Sequence, residues 1–260
     1  MIMAERNIKL TIEYHGARWS GWQMQERDPT IQGEITEAIY KVTGRRVSLV
    51  GAGRTDAGVH ALGQVANFIV DHPLETSRFA DALNFHLADD IRILKAEDAA
   101  IGFNARRDAR HRRYRYLMSN HRSALYPQLR WEHHYQMDDD LLRRTAALIE
   151  GKHDFTPFCV VSSLKEDNHC IIHHSAWRRV GALWIYEIRG NRFLHSMVRS
   201  LVGAMVNVAT VNRDANALNL TLDDLTSMLH GPKSERNPFT APAHGLYLVS
   251  VGYDESRTTA

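Results

Sequence analysis

Apolar and polar residues alternate near the start of the chain. The apolar positions are Ile8, Leu10, Ile12 and Tyr14. A period of two residues is typical of a strand that buries one face. Further on, Thr30 precedes a helical repeat of apolar residues that runs to Val42 and stops at Gly44. Because threonine is a good N-cap and glycine a common helix end, this pattern predicts a helix between them.

The rest of the first half continues with short apolar runs. They predict strands over 47–50, 65–70 and 91–94, and a second helix over 76–87. The resulting order of strand, helix, strand, strand, helix and strand is that of a split βαβ, ferredoxin-like unit. We therefore expect a first lobe that covers 1–105.

The second half follows a similar order, although its sequence does not repeat that of the first. The predicted elements are a strand through Tyr114 and Met118, a helix over 141–150, a hairpin of 171–180 and 183–190, a long apolar helix over 194–208, a short helix over 222–229 and a closing strand over 246–251. The turn-rich segment 231–238 is expected to be mobile, and the last residues are expected to fray. We predict an α+β chain of two ferredoxin-like-derived lobes, 1–105 and 106–260, each an antiparallel sheet backed by helices.

Composition narrows the class of protein. Of the 260 residues, 44% are hydrophobic and 24% are charged, which excludes a disordered chain, a collagen-like repeat and a coiled coil. The formal net charge is only +2, so any affinity for nucleic acid must come from clustered basic residues. Two cysteines, Cys159 and Cys170, are too few for a disulfide framework, and no 18-residue apolar run occurs. We expect a soluble cytoplasmic protein that does not enter the membrane.

Candidate chemistry is densest in the glycine-rich loop from Gly51 to His60. It is not a dinucleotide fingerprint, because Asp56 takes the place of the third glycine and would repel a pyrophosphate. It is not a P-loop either, because Gly-Lys-Ser/Thr is absent. Arg54 stands two residues before Asp56, and a nearby guanidinium favours the ionised carboxylate that a nucleophile or base requires. From spacing alone, a tight turn in which Asp56 only accepts backbone N–H groups is an equally good interpretation.

The loop, with Gly63 and Gln64 after it, resembles the signature of the tRNA pseudouridine synthase A family. Other segments resemble the family in the same order over nearly the whole chain, at 14–16, 21–23, 30–32, 103–106, 113–116, 191–199 and 240–248. A lone Gly-Arg-Thr-Asp is a weak signal, whereas several blocks in order are a strong one. The chain departs from the family at Leu87-Ala88 and Arg107-Asp108, which affects loop detail and substrate fit.

The resemblance implies an activity and its partners. Enzymes of this family isomerise uridine to pseudouridine at positions 38 to 40 of the tRNA anticodon stem-loop, without a metal or cofactor. They are homodimers, so tRNA and a second copy of the chain are the expected partners, and the active-site cleft is expected between the two lobes. The family's nucleophilic aspartate corresponds to Asp56. Whether it attacks C1′ of the ribose or C6 of the base, or abstracts a proton, stays open.

Two more catalytic residues follow from the resemblance. Tyr114 corresponds to a substrate-contacting tyrosine, and stacking of a flipped base on an aromatic ring contributes about 1–3 kcal/mol. Arg199 corresponds to an arginine that pairs with the nucleophilic aspartate, and an arginine beside an apolar helix stripe is costly without such a partner. The alternatives are a core role for Tyr114, as we expect for Tyr116, and a solvated side chain for Arg199.

Arginines cluster around Tyr114. Six of them lie within ten residues and are opposed there only by Asp108, at positions 106, 107, 110, 112, 113 and 115. Guanidiniums so close together repel one another without an anionic partner, and RNA phosphate would supply one. The expected substrate-binding residues are Tyr114, Arg54, His60, Arg106, Arg113 and Arg115. His60 has the alternative role of orienting the loop.

Other functions fit the sequence less well. A metal site is suggested by His133-His134, His169, Cys170 and His173-His174, but neighbouring histidines on a strand point to opposite faces and no metal-binding motif frames them. The motifs of a zinc deaminase are absent as well. Trp177, Trp184 and Tyr186 are assigned to hairpin packing or a dimer interface. The main alternative function is a noncatalytic RNA-binding or RNA-chaperone module, which would gain nothing from the Asp56 carboxylate in a groove that binds anionic RNA. A third function, a nucleotide-binding oxidoreductase, is disfavoured because Asp56 takes the place of a glycine in the dinucleotide fingerprint.

Overall fold

Residues 4–211, 218–231 and 236–253 are described by a computed structural model, and they divide into two compact units. The first unit contains the described residues up to Arg112 and those from Tyr247 onward. The second runs from Arg113 to Leu246. The sequence predicts a boundary near residue 105 and assigns the closing strand to the second lobe, whereas in the structure both 106–112 and that strand fold with the N-terminal residues.

The described chain is a mixed α/β protein. Its strands are β1 (Arg6–Tyr14), β2 (Val50–Gly51), β3 (His60–Val70), β4 (Ile91–Ala99), β5 (His111–Ser119), β6 (Trp131–Glu132), β7 (Gly151–Asp154), β8 (His169–Val180), β9 (Leu183–Gly190) and β10 (Leu246–Gly252). Its helices are α1 (Ile31–Thr43), α2 (Thr76–Asn84), α3 (Asp139–Ile149), α4 (Met197–Ala209) and α5 (Leu222–His230). Most strand pairs are antiparallel, which confirms the predicted fold class at this level.

In the first unit the strand order is β4-β1-β3-β10, with the short β2 on β3. Strand β1 is antiparallel to both β3 and β4. The side chains of Ile8, Leu10 and Ile12 are fully buried, which confirms that β1 is apolar on one face. Strand β10 pairs with β3 in parallel, with Tyr247 opposite His60.

Helix α1 begins and ends where the sequence predicts. The Thr30 side chain accepts a hydrogen bond from the Gly33 amide at the N-terminus. Gly44 ends the helix in the left-handed conformation, with φ of 67°. This region of φ and ψ is readily adopted only by glycine, so Gly44 is the natural stop.

Four predicted elements of the first unit have different lengths in the structure. Strand β4 runs to Ala99 rather than ending at 94. The predicted strand 47–50 is reduced to Val50–Gly51, since the carbonyl of Leu49 accepts a hydrogen bond from the Gln32 side chain. Strand β3 begins at His60 rather than at 65. Helix α2 ends at Asn84 rather than at 87. At this end, the side-chain amide of Asn84 donates to the carbonyl of Ile93 and accepts from its backbone amide.

The second unit has the strand order β5-β9-β8-β7, with β6 parallel to β5. The hairpin of β8 and β9 confirms the predicted turn at Gly181-Ala182, with Val180 opposite Leu183. Asp138 caps α3 by accepting hydrogen bonds from the amides of Asp140 and Leu141. Most side chains of α4 are buried, in agreement with its predicted apolar character.

The aromatic residues of the hairpin pack within the second unit. The rings of Trp177 and Tyr186 lie 5.0 Å apart. The indole N–H of Trp184 donates to Asp139 at 2.6 Å, and Arg179 lies over its ring. The hairpin therefore uses these rings in its own packing.

Parts of two predictions concern residues beyond those described. In the turn-rich segment 231–238, residues 232–235 lie outside the described residues. The last residues, which are expected to fray, lie outside them from 254 onward. Within the described ranges, no helix has the length and apolar character needed to cross a membrane.

Candidate active site

The loop that carries Asp56 is held through its backbone. The Ala52 amide donates to Val65 at 2.7 Å, and the Gln64 side chain donates to the carbonyl of Gly53 at 2.9 Å. The carbonyl of Thr55 accepts from the Trp22 amide at 3.0 Å. These bonds fix the path of the chain up to Asp56, whose side chain is half-buried. A carboxylate on a fixed backbone can be aimed at a substrate without ordering the loop first.

Gly21 also packs closely against the backbone of this loop. Gly21 has φ of 90°, and a Cβ at this position would lie 2.7 Å from the carbonyl oxygen of Thr55. The Tyr14 hydroxyl lies 2.8 Å from Oγ1 of Thr55 and adds a side-chain contact at the same residue. Gly21 and Tyr14 therefore determine where the backbone immediately before Asp56 runs.

His60 lies at the end of the loop and is only 1% exposed. Its Nδ1 accepts a hydrogen bond from the Gly16 amide at 3.0 Å. Its ring centroid lies 4.6 Å from that of His15 and 4.8 Å from that of Tyr247. These contacts hold the His60 ring beside Gly16, His15 and Tyr247. Its expected substrate contact and its alternative role of orienting the loop both stay predictions.

Arg112 is a part of this architecture that the sequence does not single out. Its guanidinium donates to the carbonyls of Ala52 and Arg106 at 2.8 and 3.0 Å, and to that of Ala109 at 3.1 Å. It therefore ties the start of the Asp56 loop to the segment that precedes β5. The position of Arg112 among five other arginines suggests RNA binding, and only the folded structure reveals these backbone acceptors.

The other arginines of the first unit differ in their surroundings. Arg54 and Arg106 are exposed. Arg107 forms an ion pair with Asp108 at 3.2 Å. Arg54, Asp56 and His60 share one loop in the first unit, whereas Arg113, Tyr114, Arg115 and Arg199 belong to the second.

In the second unit, Tyr114 and Tyr116 are both buried on β5. The Tyr114 ring contacts Phe193 edge-on, with centroids 5.1 Å apart. The Tyr116 hydroxyl donates to the carbonyl of Pro242 at 2.8 Å. Burial raises the pKa of the Tyr116 phenol well above its usual value, against the opposing charge of Arg199. Tyr116 is therefore a core residue, as the sequence predicts.

Arg199 lies in the first turn of α4 and is half-buried. Its Nε–H donates to the carbonyl of Ala241 at 2.9 Å. The backbone amide of Ala241 in turn donates to the carbonyl of Arg199 at 3.0 Å. The side chain is thus anchored to protein, which contradicts the alternative of a freely solvated arginine.

Arg113 and Arg115 share an acidic partner that the sequence does not indicate. Both guanidiniums bond the carboxylate of Glu187 on β9, at 2.6 and 2.7 Å. Partial burial of Glu187 acts to raise the pKa of its carboxyl, but the hydrogen bonds and charges of the two arginines outweigh it and hold the pKa below its usual value. Strand β9 therefore brings to the cluster an anion, Glu187, in addition to Asp108 within the segment itself.

The residues considered for a metal are not assembled. Within the described ranges, no group of three His, Cys, Asp or Glu side chains is placed to hold a metal ion. Burial raises the pKa of the Cys170 thiol to about 11, and it also raises that of Cys159.

Known proteins resemble this chain over almost its whole length. A family model described as tRNA pseudouridine synthase matches residues 10–106 and 145–254. A tRNA pseudouridine synthase A from Acetivibrio thermocellus is 39% identical over 250 residues, which is 95% of this chain and 100% of the relative. Proteins of the same name from Brachyspira hyodysenteriae and Caldicellulosiruptor bescii are both 38% identical, over 93% and 95% of this chain and 96% and 100% of the relatives. The chain therefore belongs to the tRNA pseudouridine synthase family, and its activity is the isomerisation of uridine in tRNA.

Proposed function

We propose that this enzyme converts uridines at positions 38 to 40 of the tRNA anticodon stem-loop to pseudouridine, with Asp56 as the nucleophile. The observation that carries the proposal is the Asp56 loop itself. Its backbone is held by hydrogen bonds at Ala52, Gly53 and Thr55, while Asp56 itself is half-buried. A carboxylate on a backbone held in this way can be aimed at a bound nucleotide without ordering the loop first.

The reaction is balanced without a cofactor, because pseudouridine is an isomer of uridine. The N1–C1′ bond breaks, a C5–C1′ bond forms, the C5 proton leaves to solvent and N1 takes up a proton. A uridine within a stem must first be flipped out, which costs roughly a few kcal/mol. In the proposed complex, Asp56 acts on the flipped nucleotide, the Tyr114 ring stacks on it, and the Arg199 guanidinium keeps the carboxylate ionised.

The proposal requires side chains of both units to act on one uridine. We assign Asp56 to the first ferredoxin-like lobe, and Arg199 and Tyr114 to the second. Exposed Arg54 and Arg106 are assigned to phosphates, and His60 to the support of the loop. Arg113 and Arg115 are oriented by Glu187 and bind phosphate through their remaining N–H groups. A cytoplasmic homodimer that holds tRNA completes the proposal.

The test is Asp56→Asn, compared with Asp71→Asn, which removes a carboxylate from an exposed ion pair with Arg45. Tritium released from C5-labelled uridine in tRNA measures turnover, and a gel-shift assay measures tRNA binding. We expect Asp56→Asn to lose turnover and keep binding, and Asp71→Asn to keep both. Full turnover in Asp56→Asn would refute the mechanism. An RNA-binding module without catalysis would release no tritium even as the unmodified protein.

A further inference from the structure

The Nε–H of the Arg199 guanidinium is bonded to a short segment of the second unit. Its Nε–H donates to the carbonyl of Ala241 at 2.9 Å, and the Ala241 amide donates back to the carbonyl of Arg199 at 3.0 Å. A guanidinium is planar, so a bond at Nε on an anchored stem restricts the direction in which the two Nη groups point. The orientation of Arg199 therefore depends on the position of Ala241.

Asn237 holds that segment against the first turn of α4. Its Nδ2 lies 2.7 Å from the carbonyl of Ser200, 2.9 Å from Oγ of Ser200 and 2.7 Å from the carbonyl of Phe239. Its Oδ1 accepts from the Phe239 amide at 3.1 Å, and its backbone amide donates to Pro157 at 3.1 Å. One side chain thus joins the residue next to Arg199 on the helix to the segment that leads to Ala241.

The other end of the segment is fixed independently. The carbonyl of Pro242, next to Ala241, accepts from the Tyr116 hydroxyl at 2.8 Å. Tyr116 is completely buried on β5. Loss of Asn237 would therefore release only one end, so the segment is expected to shift while the unit stays folded.

We infer that Asn237 is a positioning residue for catalysis, which acts by fixing Ala241 and through it the guanidinium of Arg199. The inference rests on the proposed function of Arg199. An amide suits this position because it donates to several oxygens and accepts from one amide at the same time. Asn237→Asp keeps the acceptor for the Phe239 amide but replaces the donor by an oxygen that faces three other oxygens.

The kinetic test is a double-mutant cycle of Asn237→Ala and Arg199→Lys, with tritium release as the assay. Asn237→Ala is expected to lower kcat about tenfold by misaligning the guanidinium, with KM for tRNA changed by less than about twofold. In the Arg199→Lys background it should cause little further loss, because the residue through which it acts is already gone. Independent losses that multiply in the double variant would overturn the inference.

Asn84→Ala is the matched control. Asn84 also joins a helix end to the backbone by a donating and an accepting bond, but in the first unit and on Ile93. It should lower the melting temperature to a similar extent and leave kcat unchanged. If both variants lose the same fraction of kcat, Asn237 has only a structural role and the inference fails.

A measurement without catalysis separates this inference from the proposed function. Hydrogen exchange of the Arg199 Nε–H, followed by NMR, should be slow in the unmodified protein and at least about tenfold faster in Asn237→Ala. An unchanged exchange rate would refute the inference, even if Arg199 is essential. Full activity of Arg199→Lys would instead refute the proposed function of Arg199. If Asn237→Ala does not fold, Ser200→Ala removes one acceptor of Nδ2 and should show the same changes at smaller size; their absence would also refute the inference.

Discussion

Replacement of Gly21 by alanine is expected to impair catalysis by displacing the backbone next to Asp56. Gly21 has φ of 90°, and its added Cβ would lie 2.7 Å from the carbonyl oxygen of Thr55 and 3.2 Å from the carbonyl carbon of Asp56. Neither atom belongs to a flexible side chain. The backbone of the loop must therefore move. Hydrogen bonds from Thr55 to Trp22 and Tyr14 oppose this movement.

The size of the effect follows from these distances. A real Cβ contact needs about 3.0–3.4 Å, so Thr55 must shift by roughly 0.3–0.7 Å. Because a misplacement of about 1 Å can reduce a rate about 100-fold, a shift of half that size should lower kcat about tenfold. For stability, the backbone conformation costs about 1–3 kcal/mol and the overpacking a similar amount, so we expect a loss of about 2–6 kcal/mol.

Gly44→Ala supplies the matched control, since Gly44 has φ of 67° but a Cβ there would meet nothing within 4 Å. It carries the cost of the backbone conformation without the clash, so it should lose about 1 kcal/mol and keep wild-type kcat. Tritium release from tRNA measures kcat, and urea unfolding measures stability. If Gly21→Ala has the kcat of Gly44→Ala, the position of the Thr55 carbonyl does not control catalysis, and the reasoning about the loop is refuted.

Two other variants test the charged residues. Glu187→Gln should lower stability by about 1–2 kcal/mol at pH 7, because two partly exposed arginines lose their shared carboxylate. Folding lowers the pKa of Glu187, so the stabilisation is present above its unfolded pKa and disappears as the pH falls through the folded pKa. The melting temperatures of the unmodified protein and of Glu187→Gln should therefore converge between pH 7 and pH 3. A constant difference would contradict the assignment of this stabilisation to the Glu187 carboxylate. Arg106→Gln should reduce the slope of log Kd against log salt for tRNA by about 1, without a change in kcat, whereas an unchanged slope would remove Arg106 from the phosphate contacts.

Local patterns predict the helices and the strands β1, β8 and β9 well. Thr30 and Gly44 define α1 because capping depends on residues within one turn of the helix end. The alternation in β1 is clear because one face of it is buried. The start of β3 is missed because small and polar residues such as Gly63 and Gln64 do not show a strand pattern. The membership of β10 in the first unit is a contact between distant parts of the chain, and no local pattern encodes it.

The residues of the candidate site also fall into those that the sequence indicates and those that only the folded structure reveals. Asp56 stands out in the sequence because a carboxylate between glycines excludes the commoner phosphate-binding loops. Arg112 does not, since its acceptors are backbone carbonyls that any residue possesses. Glu187 is separated from Arg113 and Arg115 by more than seventy residues, and only the pairing of strands brings it to them. Asn237 likewise acquires its partners at Ser200 only when the chain has folded back onto α4.

The place of β10 has a consequence for biosynthesis. His60 and Ala61 gain their parallel neighbours, Tyr247 and Leu248, from a segment that the ribosome translates after the entire second unit. Until that segment leaves the exit tunnel, the strand that follows Asp56 has an open edge with unpaired amides and carbonyls. A nascent or prematurely terminated polypeptide therefore lacks part of the sheet that supports the Asp56 loop. If Asp56 is the nucleophile that we propose, its loop is fully supported only once translation is nearly complete.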